Sequence, residues 1–186
     1  VENAAIGATG SDLAAFRARR DILARDCDLV FVEYAVNDEG TPPTRRARQR
    51  EGLLRQLLAE PRDVLLVYTY MAAHLPHIVA GRAPASVADF ERLAAHYGLG
   101  SIWAGLHALR AVEAGRLRHE EWLPDGLHPE TRGSLCYAEA VIAHVEGALA
   151  APPSAERPLP PPLDPARWEN VSMIPYAELA RRGPWS

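Results

Sequence analysis

The 186 residues suffice for one main domain with a sizeable core and leave little room for a second. A hydrophobic fraction of 48%, a charged fraction of 24% and no apolar run near the roughly 18 residues of a bilayer span exclude a helical membrane protein. A net charge of -4 offers no general pull toward phosphate backbones, so nucleic acid is not an expected partner; every one of the 20 basic residues is Arg, which excludes Walker-type phosphate loops, Schiff bases and Ser-Lys hydrolases.

The chain opens on "VEN", which reads as the tail of a strand already under way, with no initiator Met and no leader, so the start of the domain is expected to lie upstream. Leu13, Phe16, Ile22 and Leu23 share one face of a helix over residues 11–25, with Ser11 or Asp12 as its N-cap. "DLVFVEYAV" is a continuous β-rich apolar run of the kind buried on both faces of a parallel sheet. A helix over 44–59 follows and takes in the basic run "RRARQR"; then come a strand "DVLLVYTY" from Asp63, helices over 86–97 and 106–114, and a last helix over 129–150. Strands alternating with helices make the class α/β, a parallel sheet with helices on both faces. In such sheets ligands sit beyond the carboxyl ends of the strands, which directs attention to residues 6–11, 37–41 and 71–77.

The composition shifts after residue 151. "APPSAERPLPPPLDP" forms neither helix nor ladder and reads as a linker or arm. The last stretch, with Trp168, Ile174, Tyr176, Leu179 and Trp185 as apolar anchors, is too short for a core of its own and is expected either to dock on the main domain or to begin a further one. The expected division is therefore an α/β domain over 1–151 and an extension over 152–186. Cys27 and Cys136 match no disulfide framework or metal spacing and read as buried thiols.

Three stretches carry chemistry. "NAAIGATGSDL" is a glycine-containing loop leading into a helix; it reads either as a tight turn or as a backbone N–H cradle for a developing negative oxygen, and the absence of a third glycine and of any Lys argues against a dinucleotide loop. "VFVEYAVNDEG" ends a buried strand in Asn37 and Asp38, residues that commonly only form turns; here Asn37 falls where its amide could reach the same oxygen. In "DGLHP", Asp125 stands three residues before His128 across a turn that Gly126 permits, with Pro129 suited to a first helical position. That spacing lets the carboxylate hold one imidazole nitrogen while the other faces a cleft as general base. His74 and His77, in "HLPH", lack the pattern of a metal site and read as lining a loop or as exposed, and Tyr70, Met71, Leu75 and Trp122 are candidates to shape a pocket.

Together these stretches resemble the SGNH (GDSL-type) hydrolases, serine esterases and acylhydrolases on a three-layer α/β/α flavodoxin-like fold. "VND" is similar to the G-x-N-D block, and "DGLHP" matches D-x-x-H-P residue for residue. "NAAIGATGS" resembles the block whose backbone N–H serves the oxyanion; register points to Ala8, with Gly7 beside it. The resemblance, which covers residues 1–150, implies His128 as base, Asp125 as its partner, and Asn37, Ala8 and Gly7 as the oxyanion hole, with no cofactor and no metal. The implied substrate is a small-molecule or carbohydrate ester. The family's G-D-S block is missing: no serine in this chain has that context, Ser11 being on a helix start after the second block. The chain therefore reads as an N-terminally truncated fragment without its nucleophile; a carbohydrate- or partner-binding protein on the hydrolase fold is the alternative. Specificity, oligomeric state and compartment are left open by the sequence.

Overall fold

A computed structural model of the chain describes residues 1–152 and 158–180. Helix α1 (Ser11–Ala18) runs on into a π-helical turn, Arg19–Leu23, and is followed by β1 (Leu29–Val32), α2 (Pro43–Leu57) and β2 (Asp63–Val67). A 3-10 turn (Ala72–His74), α3 (Leu75–Val79), α4 (Ala85–Tyr97), β3 (Gly100–Ile102), α5 (Ala104–Glu113), α6 (His119–Trp122) and α7 (Thr131–Ala150) complete the domain, and a short 3-10 turn lies at Tyr176–Glu178. The strands form one parallel sheet in the order β1-β2-β3, with Phe31 beside Leu65 and Leu66 beside Ser101.

Alternation along the strands splits the interior into two layers. Val32, Val64, Leu66 and Tyr68 join Ala15, Leu53, Leu54, Leu57, Phe90 and Leu93 in a core under α1, α2 and α4. On the other face Val67 packs against Tyr70, Ala104, Ala108, Trp122, Leu123, Cys136 and Tyr137, beneath α5, α6 and α7. The fold is thus α/β with helices on both sides of a parallel sheet. No helix among the described residues is long and apolar enough to cross a membrane.

Several local expectations change. Residues 1–6 form no strand. The run "DLVFVEYAV" contributes only four strand residues, and it is not buried on both faces: among the described residues β1 pairs with β2 alone, and Phe31 is 49% exposed. The last helix starts at Thr131 rather than at Pro129, with Glu130 at its N-cap. The strand β3, only three residues long, and the one-turn helix α6 were too short to leave a periodicity. Both cysteines are free, Cys136 buried and Cys27 half-buried.

A buried polar cluster joins the loops at the carboxyl edge of β1 to α1, α2 and α4. Asp38, Arg50, Ser11 and Ser86 are fully buried. Arg50 donates from Nε to Asp38 Oδ2 (2.8 Å), from Nη1 to the Ser86 carbonyl (2.6 Å) and from Nη2 to the Tyr34 carbonyl (3.2 Å). Ser11 gives Asp38 both its backbone N–H (2.9 Å) and its hydroxyl (2.6 Å), and Gln49 donates to Ser11 Oγ (2.8 Å). Burial lowers the pKa of the Arg50 guanidinium, and the Asp38 carboxylate offsets only part of that; the ring of Phe90 lies 3.7 Å beneath the guanidinium carbon. Gly10 is required at the edge of this cluster, because a Cβ there would stand 2.7 Å from Asp38 Oδ1.

The Pro-rich segment returns to α2. Glu51, itself buried, accepts the backbone N–H groups of Leu163 (2.5 Å) and Asp164 (2.9 Å), while Asp164 accepts from Arg48 Nε (2.9 Å) and the Trp168 N–H donates to the Arg48 carbonyl (3.1 Å). Trp168 covers Gly52 and meets Phe16 at a ring distance of 5.8 Å. Trp185 lies outside the described residues.

Candidate active site

His128 and Asp125 sit on the loop between α6 and α7, where the sequence forces a sharp reversal. Gly126 takes φ +79°, a left-handed conformation that glycine adopts without penalty. Asp125 Oδ1 then accepts the backbone N–H groups of Leu127 (2.9 Å) and His128 (2.7 Å), and Oδ2 lies 2.7 Å from His128 Nδ1. A proton on Nδ1 makes the ring the donor to Asp125 and leaves Nε2 as a proton acceptor. The Ala72 N–H donates to the Gly126 carbonyl (2.8 Å), which pins the loop over the carboxyl edge of β2. Both side chains are well exposed.

An open cavity of about 320 Å³ is lined by Ala8, Glu33, Val36, Asn37, Thr69, Leu127 and His128. Three sequence-predicted residues from three distant stretches therefore face one space. Asp125 stands behind His128; Gly7 is exposed and does not line the cavity. Asn37 donates one N–H of its amide to the Thr9 carbonyl (2.8 Å), tying the two loops together; an amide nitrogen carries a second donor. Ala8 has φ 59°, the left-handed region that costs a residue with a Cβ about 1–2 kcal/mol.

Two lining residues were missed in the sequence. Glu33 is read there as part of an apolar run; burial pushes its carboxyl up, against donation from the Val36 N–H, the Thr69 hydroxyl and N–H, and the Ala35 N–H, the last at 3.0 Å. It closes the turn that carries Asn37. Thr69, two residues past the end of β2, supplies a hydroxyl to the same wall. The only signal for either is position at a strand's carboxyl end.

Other expectations do not hold. Tyr70 and Trp122 are buried in the second core and, like Met71 and Leu75, do not line the cavity. His74 is neither exposed nor on a substrate loop: it is 1% exposed, its Nε2 3.7 Å from the Glu39 carboxylate, and burial lowers its pKa. Ser11, fully buried, donates its hydroxyl to Asp38, which removes it as a nucleophile. Among the described residues no serine lines the cavity.

The fold is SGNH/GDSL hydrolase-like. The chain is similar to a two-domain esterase (CEX) active on acetylated mannans, solved with mannopentaose: 28% identity over 90% of this chain and 43% of that one, TM-score 0.75. A second structure of that esterase gives 27% identity over 87% and 42%, with a TM-score of 0.73. A GDSL-like lipase from Parabacteroides merdae, 18% identical over 75% of this chain and 69% of its own, shares the fold at a TM-score of 0.56. The chain spans less than half the length of the esterases. No family model matches it, and no curated protein does.

Two outcomes follow from this geometry. Replacing Ala8→Gly should stabilise the protein by about 0.5–1 kcal/mol in urea unfolding, since relief of the left-handed strain exceeds the extra chain entropy that glycine loses; destabilisation would show that Ala8 is not held at positive φ. The Asp125 carboxyl is held down to about 2, first by the His128 backbone N–H, then by its ring and by the Leu127 N–H. A depressed folded value means that the loop's contribution is complete above the ordinary carboxylate pKa of about 3.9 and is lost as pH falls through about 2. The side-chain carbon signal of Asp125, followed by NMR, should inflect near the lower value, and an inflection at the ordinary one would contradict the bonding described.

Proposed function

We propose that this chain forms the histidine and oxyanion side of a serine-dependent ester hydrolase, with the nucleophilic serine supplied from outside the 186 residues. The observation that carries this reading is the shared cavity: an imidazole backed by a carboxylate stands on the same space as an Asn amide and a backbone N–H loop. Among the described residues the outer edge of β1 is unpaired, and with the exposed Phe31 beside it this leaves room for a further strand next to the site.

The residues take the following parts in this reading. The serine hydroxyl attacks the ester carbonyl while His128 accepts its proton, and Asp125 stabilises the imidazolium that forms. The second N–H of Asn37 and the Ala8 backbone N–H donate to the oxyanion. Collapse of the tetrahedral species expels the alcohol, which takes the proton from His128; water, activated by the same ring, then releases the acid. The likeness to an esterase active on acetylated mannans favours an O-acetylated carbohydrate as substrate. A binding role without hydrolysis is the second reading, favoured by the lack of a serine on the described cavity wall.

The test is hydrolysis of acetylated mannan by a protein extended upstream to include a G-D-S serine, beside the 186-residue chain and the extended His128→Ala variant. The extended protein should release acetate, the chain alone should do so far more slowly, and His128→Ala should lower kcat by about 10²–10⁴-fold. Equal rates with and without His128 would defeat the role assigned to it, and a gene with no upstream serine would favour the binding reading.

A further inference from the structure

Away from that cavity, at the seam of α5 and α7, His107, Cys136 and Glu139 bring an imidazole nitrogen, a thiol sulfur and a carboxylate oxygen within 4.8 Å of one another. They line a separate small cavity of about 100 Å³, with Ala111 and Leu117 as its apolar wall and Arg116 and Arg132 also lining it. We propose that these three side chains form a binding site for a borderline divalent ion of the zinc class, bridging α5 to α7, with water as a fourth ligand.

The chemistry of the set is selective. A thiolate and a carboxylate together balance a 2+ charge, and nitrogen, sulfur and oxygen in one tetrahedral shell suit zinc and cobalt rather than calcium or magnesium. Metal–ligand bonds of about 2.0–2.3 Å put tetrahedral donor atoms roughly 3.3–3.8 Å apart, so the present separations close with side-chain rotation of about 1 Å, without movement of the helices. Cys136 and Glu139 are one turn apart on α7, and His107 faces them from α5, so the set is held by two packed helices rather than by a loop. Neither the imidazole nor the thiol makes a side-chain hydrogen bond among the described residues. The Arg132 guanidinium stands 3.7 Å from Glu139, beyond hydrogen-bond distance, and is 53% exposed, so solvent is open to it when the carboxylate turns to the ion. Arg116 is exposed as well.

Cobalt titration of the chain in a Cys27→Ser background reports on this site directly. One equivalent of Co²⁺ should produce a thiolate-to-cobalt charge-transfer band together with the visible bands of a four-coordinate ion; Zn²⁺ should abolish both and raise the thermal midpoint. Cys136→Ser should lose the charge-transfer band. Glu139→Gln, at an exposed position, should fold as the parent does and bind at least roughly 10-fold more weakly, the loss that even an outer-shell partner brings. A Cys27→Ser protein without the charge-transfer band overturns the proposal, as does Glu139→Gln or His107→Ala binding cobalt with the parent's affinity.

Discussion

The buried pairing of Asp38 with Arg50 is the constraint on which the candidate site rests. An ion pair of this kind is not a cheap source of stability, since removing both charges from water costs several kcal/mol per ion before their attraction repays it. It is tolerated because the remaining lone pairs and protons are used: Ser11 and Gln49 complete the shell of Asp38, and Ser86 and Tyr34 that of Arg50. Ser86 in turn donates to the Ala35 carbonyl (2.6 Å). Two of these contacts reach the cavity wall: Ser11 follows the loop that carries Ala8, and Tyr34 lies in the turn that carries Glu33, Val36 and Asn37. The residue after Asn37 is therefore locked to the head of α1, three residues after Ala8, and the two oxyanion candidates keep their separation without any ligand.

The opposite wall is held by different means. Asp125 and His128 are exposed, and short local bonds across a glycine turn, with one backbone bond to Ala72, set their geometry. Behind them the second core supplies rigidity, where the Trp122 indole donates to the Tyr137 hydroxyl (3.0 Å) and Gly133 lets α7 approach the Trp122 backbone. A fixed polar wall thus faces an open, solvent-accessible pair. Such an asymmetry suits the proposed chemistry, in which the oxyanion donors would be preorganised while the base exchanges protons with substrate and water.

The alternation of strand and helix and the "DGLHP" turn were legible because their signals are local: hydrophobic period, a glycine that permits a left-handed turn, an acid and a histidine at fixed spacing. What escaped the sequence is non-local. Asp38 looked like a turn former, and "RRARQR" read only as part of a helix, yet Arg46 and Arg50 are buried, a choice that only their distant partners explain. Glu33 and Thr69 acquired their place through tertiary packing for the same reason. Conversely, Trp122 and Tyr70 were assigned to a pocket by chemical type alone, and packing took them into the core instead. The Pro-rich segment was expected to be an arm; its return to α2 depends on Glu51, a single buried carboxylate that accepts two backbone N–H groups more than a hundred residues away.

The dependence of the proposed oxyanion side on the buried pair is most directly tested with Arg50→Met, which keeps side-chain bulk and removes the charge. Urea unfolding should show a loss of about 3–5 kcal/mol, the cost of leaving a buried carboxylate unpaired. In the folded variant, NMR should find the Ala8 backbone amide and the Asn37 side-chain amide displaced while Asp125 and His128 keep their signals. A loss below about 1 kcal/mol, with the Ala8 and Asn37 signals unmoved, would contradict the account.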